Sequence, residues 1–154
     1  MSELPVKTIA TNRRAYHEYA FDEEFECGIE LVGSEVKSMR AGHVSFSDSY
    51  ARVQLGELWL VGLNISAYNQ ASIFNHEADR NRRLLVHKQE IKRLSRRVDE
   101  RGFTLVPTKL YFKGGLVKIR LGLGKGKREF DKRQDIKKRD QKRVAQREIR
   151  EHLR

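Results

Sequence analysis

Between residues 117 and 123 apolar and polar side chains alternate. Val117, Ile119, Leu121 and Leu123 fall on one face and Lys118 and Arg120 on the other, and a period of two marks a strand with one buried face. Gly114-Gly115 separates this run from a strand ending near Phe112, so the two are expected to pair as an antiparallel hairpin. Tyr50 to Leu55 and Leu58 to Leu63 predict a second hairpin turning at Gly56-Glu57, with Trp59 in or beside the core. Another strand is expected through Phe25, Cys27, Ile29 and Leu31, with Glu26 and Glu30 on its other face. Helical signals occur in two places. Ser34 is placed to cap a short helix from Glu35 to Arg40 that stops at Gly42. Ile91, Leu94 and Val98 form one stripe of a helix over about Lys88 to Arg101, closed by Gly102. Short strands with inserted helices predict a mainly β fold, a small closed or nearly closed OB-like antiparallel barrel.

The pattern changes near Gly126, after which no Gly or Pro occurs. Residues 125–154 hold 13 of the 32 Lys and Arg and 6 of the 21 acids, a net +7 against +4 for the first 124 residues. The expected organisation is a barrel over 1–124 and a basic C-terminal tail over 125–154. Ala145, Ile149 and Leu153 align at i, i+4 and i+8, but the rest of that surface is charged. The tail buries too little to order itself, so it is expected to be disordered or fluctuating alone and helical against an anionic partner.

A net charge of +11 and a pI near 10.0 point to a polyanion. No membrane is expected. The uncharged stretch Leu58 to Asn75 is too polar to span a bilayer, and the tail lacks the wide apolar face of an interfacial helix. Cys27 stands alone, which excludes an intramolecular disulfide and a thiolate metal cluster, and Met1 to Asn12 has no apolar run of the signal-peptide kind. A cytoplasmic protein is expected. Chemistry is thinly supported. His17, His43, His76, His87 and His152 show no ligand spacing, and Gly122 to Gly126 lacks the residues of a phosphate-binding loop. Asp22, Glu23, Glu24 and Glu26 supply the one rival reading, a metal-dependent RNA-processing nuclease. Consecutive acids diverge on a strand or turn, so no catalytic residue, metal or cofactor is expected.

Binding features are richer. Asn12, Arg13, Arg14, Tyr16, His17 and Tyr19 interleave cations with planar rings, a mixture suited to phosphates and exposed bases. Arg80, Arg82 and Arg83 form a second cationic group, in a stretch read as irregular. Lys125, Lys127, Arg128, Lys132 and Arg133 form a third, with Asp131 placed to cap a following helix. Together they favour RNA.

Read in order, Asn12-Arg-Arg-Ala-Tyr-His-Glu-Tyr, Glu24 to Gly42, Asp48-Ser-Tyr, Arg82 to Ile91, Leu105 to Phe112 and Gly124 to Arg133 resemble the SmpB family, the transfer-messenger RNA-binding proteins of bacterial trans-translation. The resemblance runs from about Ile9 to Asp140. It implies an OB-like barrel that holds the tRNA-like part of that RNA through Asn12, Arg13, Arg14, His17, Glu26, Lys37 and Leu85. It also implies a tail, opening with Lys125, Gly126, Lys127, Arg128, Phe130, Asp131, Lys132 and Arg133 and continuing from Ile136, that occupies the decoding centre and mRNA channel of a stalled 70S ribosome. Alanyl-tRNA synthetase and elongation factor Tu are implied as indirect partners, and a monomer is expected. Phe130 departs from the His or Tyr that many relatives carry, and Ala67 and Ala78 from their loop prolines.

Overall fold

The computed structural model describes residues 5–67 and 76–127. Their elements are β1 (Val6–Thr11), α1 (Arg13–Glu18), β2 (Tyr19–Ile29), α2 (Gly33–Arg40), β3 (Val44–Ser45), β4 (Tyr50–Gln54), β5 (Glu57–Val61), β6 (Asn64–Ile65), β7 (Arg82–Leu85), α3 (Lys88–Arg101), β8 (Thr104–Lys113) and β9 (Leu116–Gly126). The strands run in the order β8, β4, β5, β7, β2, β9, and β9 pairs again with β8, so the sheet closes into an antiparallel barrel. β1 adds to the far half of β8, where Val6 to Thr11 pair with Lys113 to Lys109. β3 and β6 make a separate short ribbon. This is the mainly β, OB-like barrel that alternation along the chain predicts.

Leu58, Leu60, Leu84, Leu105, Leu110, Ile119, Leu121 and Leu123 line the interior, and Ile91 and Leu94 of α3 join them. The α3 stripe and its closing Gly102, at φ 67°, match the periodicity argument. Gly114 and Gly115, at φ 59° and 83°, make the β8–β9 turn. The β4–β5 turn differs from expectation by one residue. Val53 pairs with Leu58 and Gln54 with Glu57, which puts Leu55 and Gly56 at the tip with φ 52° and 74°. Two inward apolar positions fix that register, and Leu55 takes the left-handed conformation as a consequence.

Two further expectations change, and one helix is new. The acidic stretch lies inside a strand, because β2 begins at Tyr19 and ends at Ile29, with Leu31 beyond it. Residues 13–18 form a helix, capped by the Asn12 side chain accepting from the Ala15 amide at 3.2 Å. Ser34 does not cap α2. The helix starts at Gly33, the Glu35 carboxylate accepts from the Val32 amide at 2.9 Å, and the Ser34 hydroxyl meets His76 Nδ1 at 2.9 Å instead.

Gly122 and Gly124 belong to β9, and their missing side chains are filled by Phe21. A Cβ on Gly122 would lie 2.4 Å from the Phe21 ring, and one on Gly124 would lie 2.7 Å from the Ala20 carbonyl oxygen. The glycines serve packing between β2 and β9. Gly122→Ala is expected to overpack this contact and cost about 1–3 kcal/mol, measurable by thermal unfolding.

Candidate RNA-binding surface

The outer face of β2, β9 and β8 carries residues from the polar phase of each strand. Glu26 pairs in register with Arg120, and Arg120 with Lys109; one row on, Gly28 opposes Lys118, and Lys118 opposes Tyr111. Residues opposed in this way project to the same side of a sheet. Lys109, Lys113, Lys118 and Arg120 therefore gather about Tyr111 and the carboxylate of Glu26.

Glu26 is held in place. Its Oε2 accepts from the Tyr111 hydroxyl at 2.5 Å and from the Lys113 ammonium at 3.3 Å. The tyrosine hydrogen bond, aided by Lys113 and opposed by partial burial, keeps the carboxyl below the usual glutamate range. Burial and the neighbouring carboxylate push the Tyr111 phenol well above its ordinary value, so it remains a donor. The result is an ionised acceptor fixed within a cationic surface, suited to hydrogen bonds from base amino or ribose hydroxyl groups.

A groove of about 800 Å³ adjoins this face, lined by Glu26, Gly28, Arg83, Leu85, His87, Lys88 and Lys118 among others. Leu85, half exposed, lies over Gly28, where a Cβ would come within 3.1 Å of the leucine Cβ. Glu26 and Leu85, far apart in the chain, thus share one groove.

The α1 residues divide by role. Arg13 and His17 are exposed one turn apart. Arg14 is exposed and pairs with Glu18 at 2.8 Å and Asp48 at 3.2 Å. Asn12 is buried, and its amide donates to the Pro107 carbonyl at 2.8 Å while capping the helix, so it positions α1. Lys37 is exposed on α2. At the start of the tail, Lys125 and Gly126 pair with Ala20 and Tyr19. The Lys125 ammonium and the Arg97 guanidinium lie 4.8 and 4.7 Å from the Phe103 ring centroid. Lys127 is described, whereas Arg128, Phe130, Asp131, Lys132, Arg133, Ile136 and the helical propensity of the tail lie outside the described residues.

A family model described as SmpB protein matches residues 9–151. The chain belongs to the SmpB family. It is similar to the SsrA-binding protein of Treponema denticola, 52% identical over 97% of each chain. It is similar also to that of Carboxydothermus hydrogenoformans, 55% identical over 96% of this chain and 97% of the relative. A solved structure described as "tmRNA-SmpB: a journey to the center of the bacterial ribosome" contains a chain that is 48% identical, with a TM-score of 0.65 over 76% of this chain and 82% of that one.

Two sequence groupings read differently in this SmpB chain. Arg80, Arg82 and Arg83 do not form a free cationic cluster in an irregular stretch. Arg82 opens β7 and is fully buried; it donates to Glu35 at 2.5 Å, to the Leu63 carbonyl at 2.7 Å and to the Arg80 and Ala78 carbonyls at 3.0 Å. Arg80 bonds the other oxygen of Glu35, and Arg83 pairs with Glu30 at 3.0 Å. The acids of β2 are likewise taken up by protein partners, with Arg97 reaching both Asp22 and, at 3.6 Å, Glu23. Asp22 pairs with Arg97, Glu23 with Arg93 at 2.6 Å, Glu24 with the Tyr16 hydroxyl at 2.6 Å, and Glu26 with Tyr111. Among the described residues no three His, Cys, Asp or Glu converge as a metal-ligand set. No described helix is long and apolar enough to cross a membrane.

Lys109 and Lys113, with the buried Tyr111 between them, are the residues of this face that pattern reading passed over. Their signal is the polar phase of β8, in which Leu110 and Phe112 take the alternate positions.

Proposed function

We propose that this chain binds the tRNA-like part of transfer-messenger RNA and lets it enter stalled ribosomes for trans-translation. The observation that carries this reading is identity of about one half, over nearly the whole chain, to SsrA-binding proteins. The geometry supplies a physical route. Lys109, Lys113, Lys118 and Arg120 meet phosphates, Glu26 and Leu85 make base or ribose contacts in the adjoining groove, and Arg13, Arg14 and His17 extend the surface along α1. Asn12 holds α1 in position. Lys37 adds a contact from α2.

The tail, from Lys125 through Gly126, Lys127, Arg128, Phe130, Asp131, Lys132 and Arg133 to Ile136 and beyond, lies in the decoding centre and mRNA channel. There a cationic segment gains phosphate contacts in place of the missing message. The chain acts as a cytoplasmic, monomeric adaptor and makes or breaks no bond. Aminoacylation and delivery fall to alanyl-tRNA synthetase and elongation factor Tu. Engagement of the β2 acids by Arg93, Arg97, Tyr16 and Tyr111 gives the nuclease reading no support.

Reconstituted translation of an mRNA lacking a stop codon tests the function: tagged peptide is expected only when this protein accompanies transfer-messenger RNA, and equal tagging without it would refute the reading. Two sets of substitutions probe the surface. Arg13→Ala and Glu26→Gln are expected to weaken RNA affinity in filter binding. Removing Lys118 and Arg120 together is expected to weaken binding and to reduce the slope of log K against log salt by roughly one unit per lost phosphate contact.

A further inference from the structure

Leu58 and Leu60 of β5 are fully buried, so Trp59 between them points to the outer face of the barrel. The residue is half buried and is not among the apolar side chains packed against the core. In register Trp59 stands between Arg52 of β4 and Arg83 of β7, and opposed residues share a face. Arg52 is exposed and has no ion pair among the described residues. Arg83 is fixed by Glu30 at 3.0 Å and approaches Glu57 at 3.9 Å. It also lines the groove that holds Glu26 and Leu85, so the aromatic row continues the candidate RNA surface around the barrel.

We infer that Trp59 is a stacking platform for an unpaired RNA base, with Arg52 holding the adjoining phosphate. The local charge explains why a base and not a duplex backbone is the ligand. Glu30 and Glu57 offset Arg83, which leaves Arg52 as the one cation of the row to hold a phosphate. A planar apolar ring flanked by guanidinium groups is instead the combination that accepts splayed-out bases without demanding a particular one. On the outer face Trp59 is covered only in part by its own chain, and a base would cover the rest. The inference rests on the RNA-binding reading above and adds a site to it.

Trp59 is the only tryptophan in the chain, so its emission reports this site alone. The intact protein is titrated with the tRNA-like fragment of transfer-messenger RNA while indole emission and acrylamide quenching are followed. Stacking is expected to lower the emission and shield the ring from acrylamide at saturation. Trp59→Leu is expected to weaken binding about tenfold and Trp59→Phe less. Neither changes the salt slope, because no phosphate contact is lost. Saturable binding with unchanged emission overturns the inference and leaves the RNA-binding reading intact. So does a Trp59→Leu protein that folds and binds as tightly as the parent. A concentration-dependent emission change without RNA would assign the face to a second copy and also overturn it. No binding at all overturns both readings. Should Trp59→Leu fail to fold, the emission of the parent and the affinity of Trp59→Phe decide.

Discussion

Glu35→Ala is expected to destabilise the barrel by about 3–5 kcal/mol, because it leaves the fully buried Arg82 guanidinium without its counter-charge. For a domain of this size that is a fall in Tm on the order of 10 °C, readable by circular dichroism. Glu35 receives hydrogen bonds from Arg80, Arg82 and the Val32 amide, and these join α2 to β7. Removing both charges is expected to hurt less than removing one. A Glu35→Leu, Arg82→Met pair that regains much of the lost stability would show that the damage comes from the orphaned charge. The same group sets an acid limit. Burial pushes the Glu35 carboxyl upward, but hydrogen bonds from Arg80, Val32 and Arg82 outweigh it, and the net shift is down. A depressed folded-state value means that its stabilisation is present above the ordinary glutamate range and is lost as pH falls through the lowered folded value. The Glu35 contribution should therefore decline as pH falls from the usual glutamate range to the lowered folded value, and Glu35→Ala should remove that component.

A chain ended after Asp131 is expected to bind transfer-messenger RNA with undiminished preference and to yield no tagged peptide. The reason is a division of labour. The surface around Glu26 and Leu85 lies wholly on the barrel, whereas most of the charge excess lies in residues 125–154. Lys125 is fixed to the barrel beside Phe103 and Gly126 ends β9, so a cut after Asp131 leaves the folded part whole. Tagging in reconstituted translation and affinity by filter binding are read on one preparation. Loss of RNA binding on truncation would place the RNA site in the tail and contradict the division.

What the sequence displayed and what it hid separate along one physical line. The β8–β9 hairpin and α3 were legible because one face of each is buried and the other solvated, which writes a period of two or 3.6 into the residues. α1 left no such trace, since Ala15 is its only buried residue and its start depends on the Asn12 cap. The first half of β2, with its consecutive acids, carries no alternation that marks a strand. It is a strand because it pairs with β9, and Arg93 and Arg97, on a helix some 70 residues away in sequence, take Asp22 and Glu23. Arg82 looked like a surface cation for the same reason, its partner Glu35 being 47 residues distant. On the candidate surface, Lys118 and Arg120 were visible as the polar phase of a strand. Their meeting with Lys109, Tyr111, Lys113 and Glu26 depends on barrel closure between β8 and β9 and between β9 and β2, which no local pattern encodes.

The most direct test of the central claim is a gel-shift competition at fixed salt among the tRNA-like fragment of transfer-messenger RNA, an ordinary elongator tRNA and unrelated stem-loops. The account predicts that the first is retained at protein concentrations that leave the other two free, and that Glu26→Gln narrows this gap. Equal retention of all three RNAs would show that the cationic face acts by charge alone, and would contradict it.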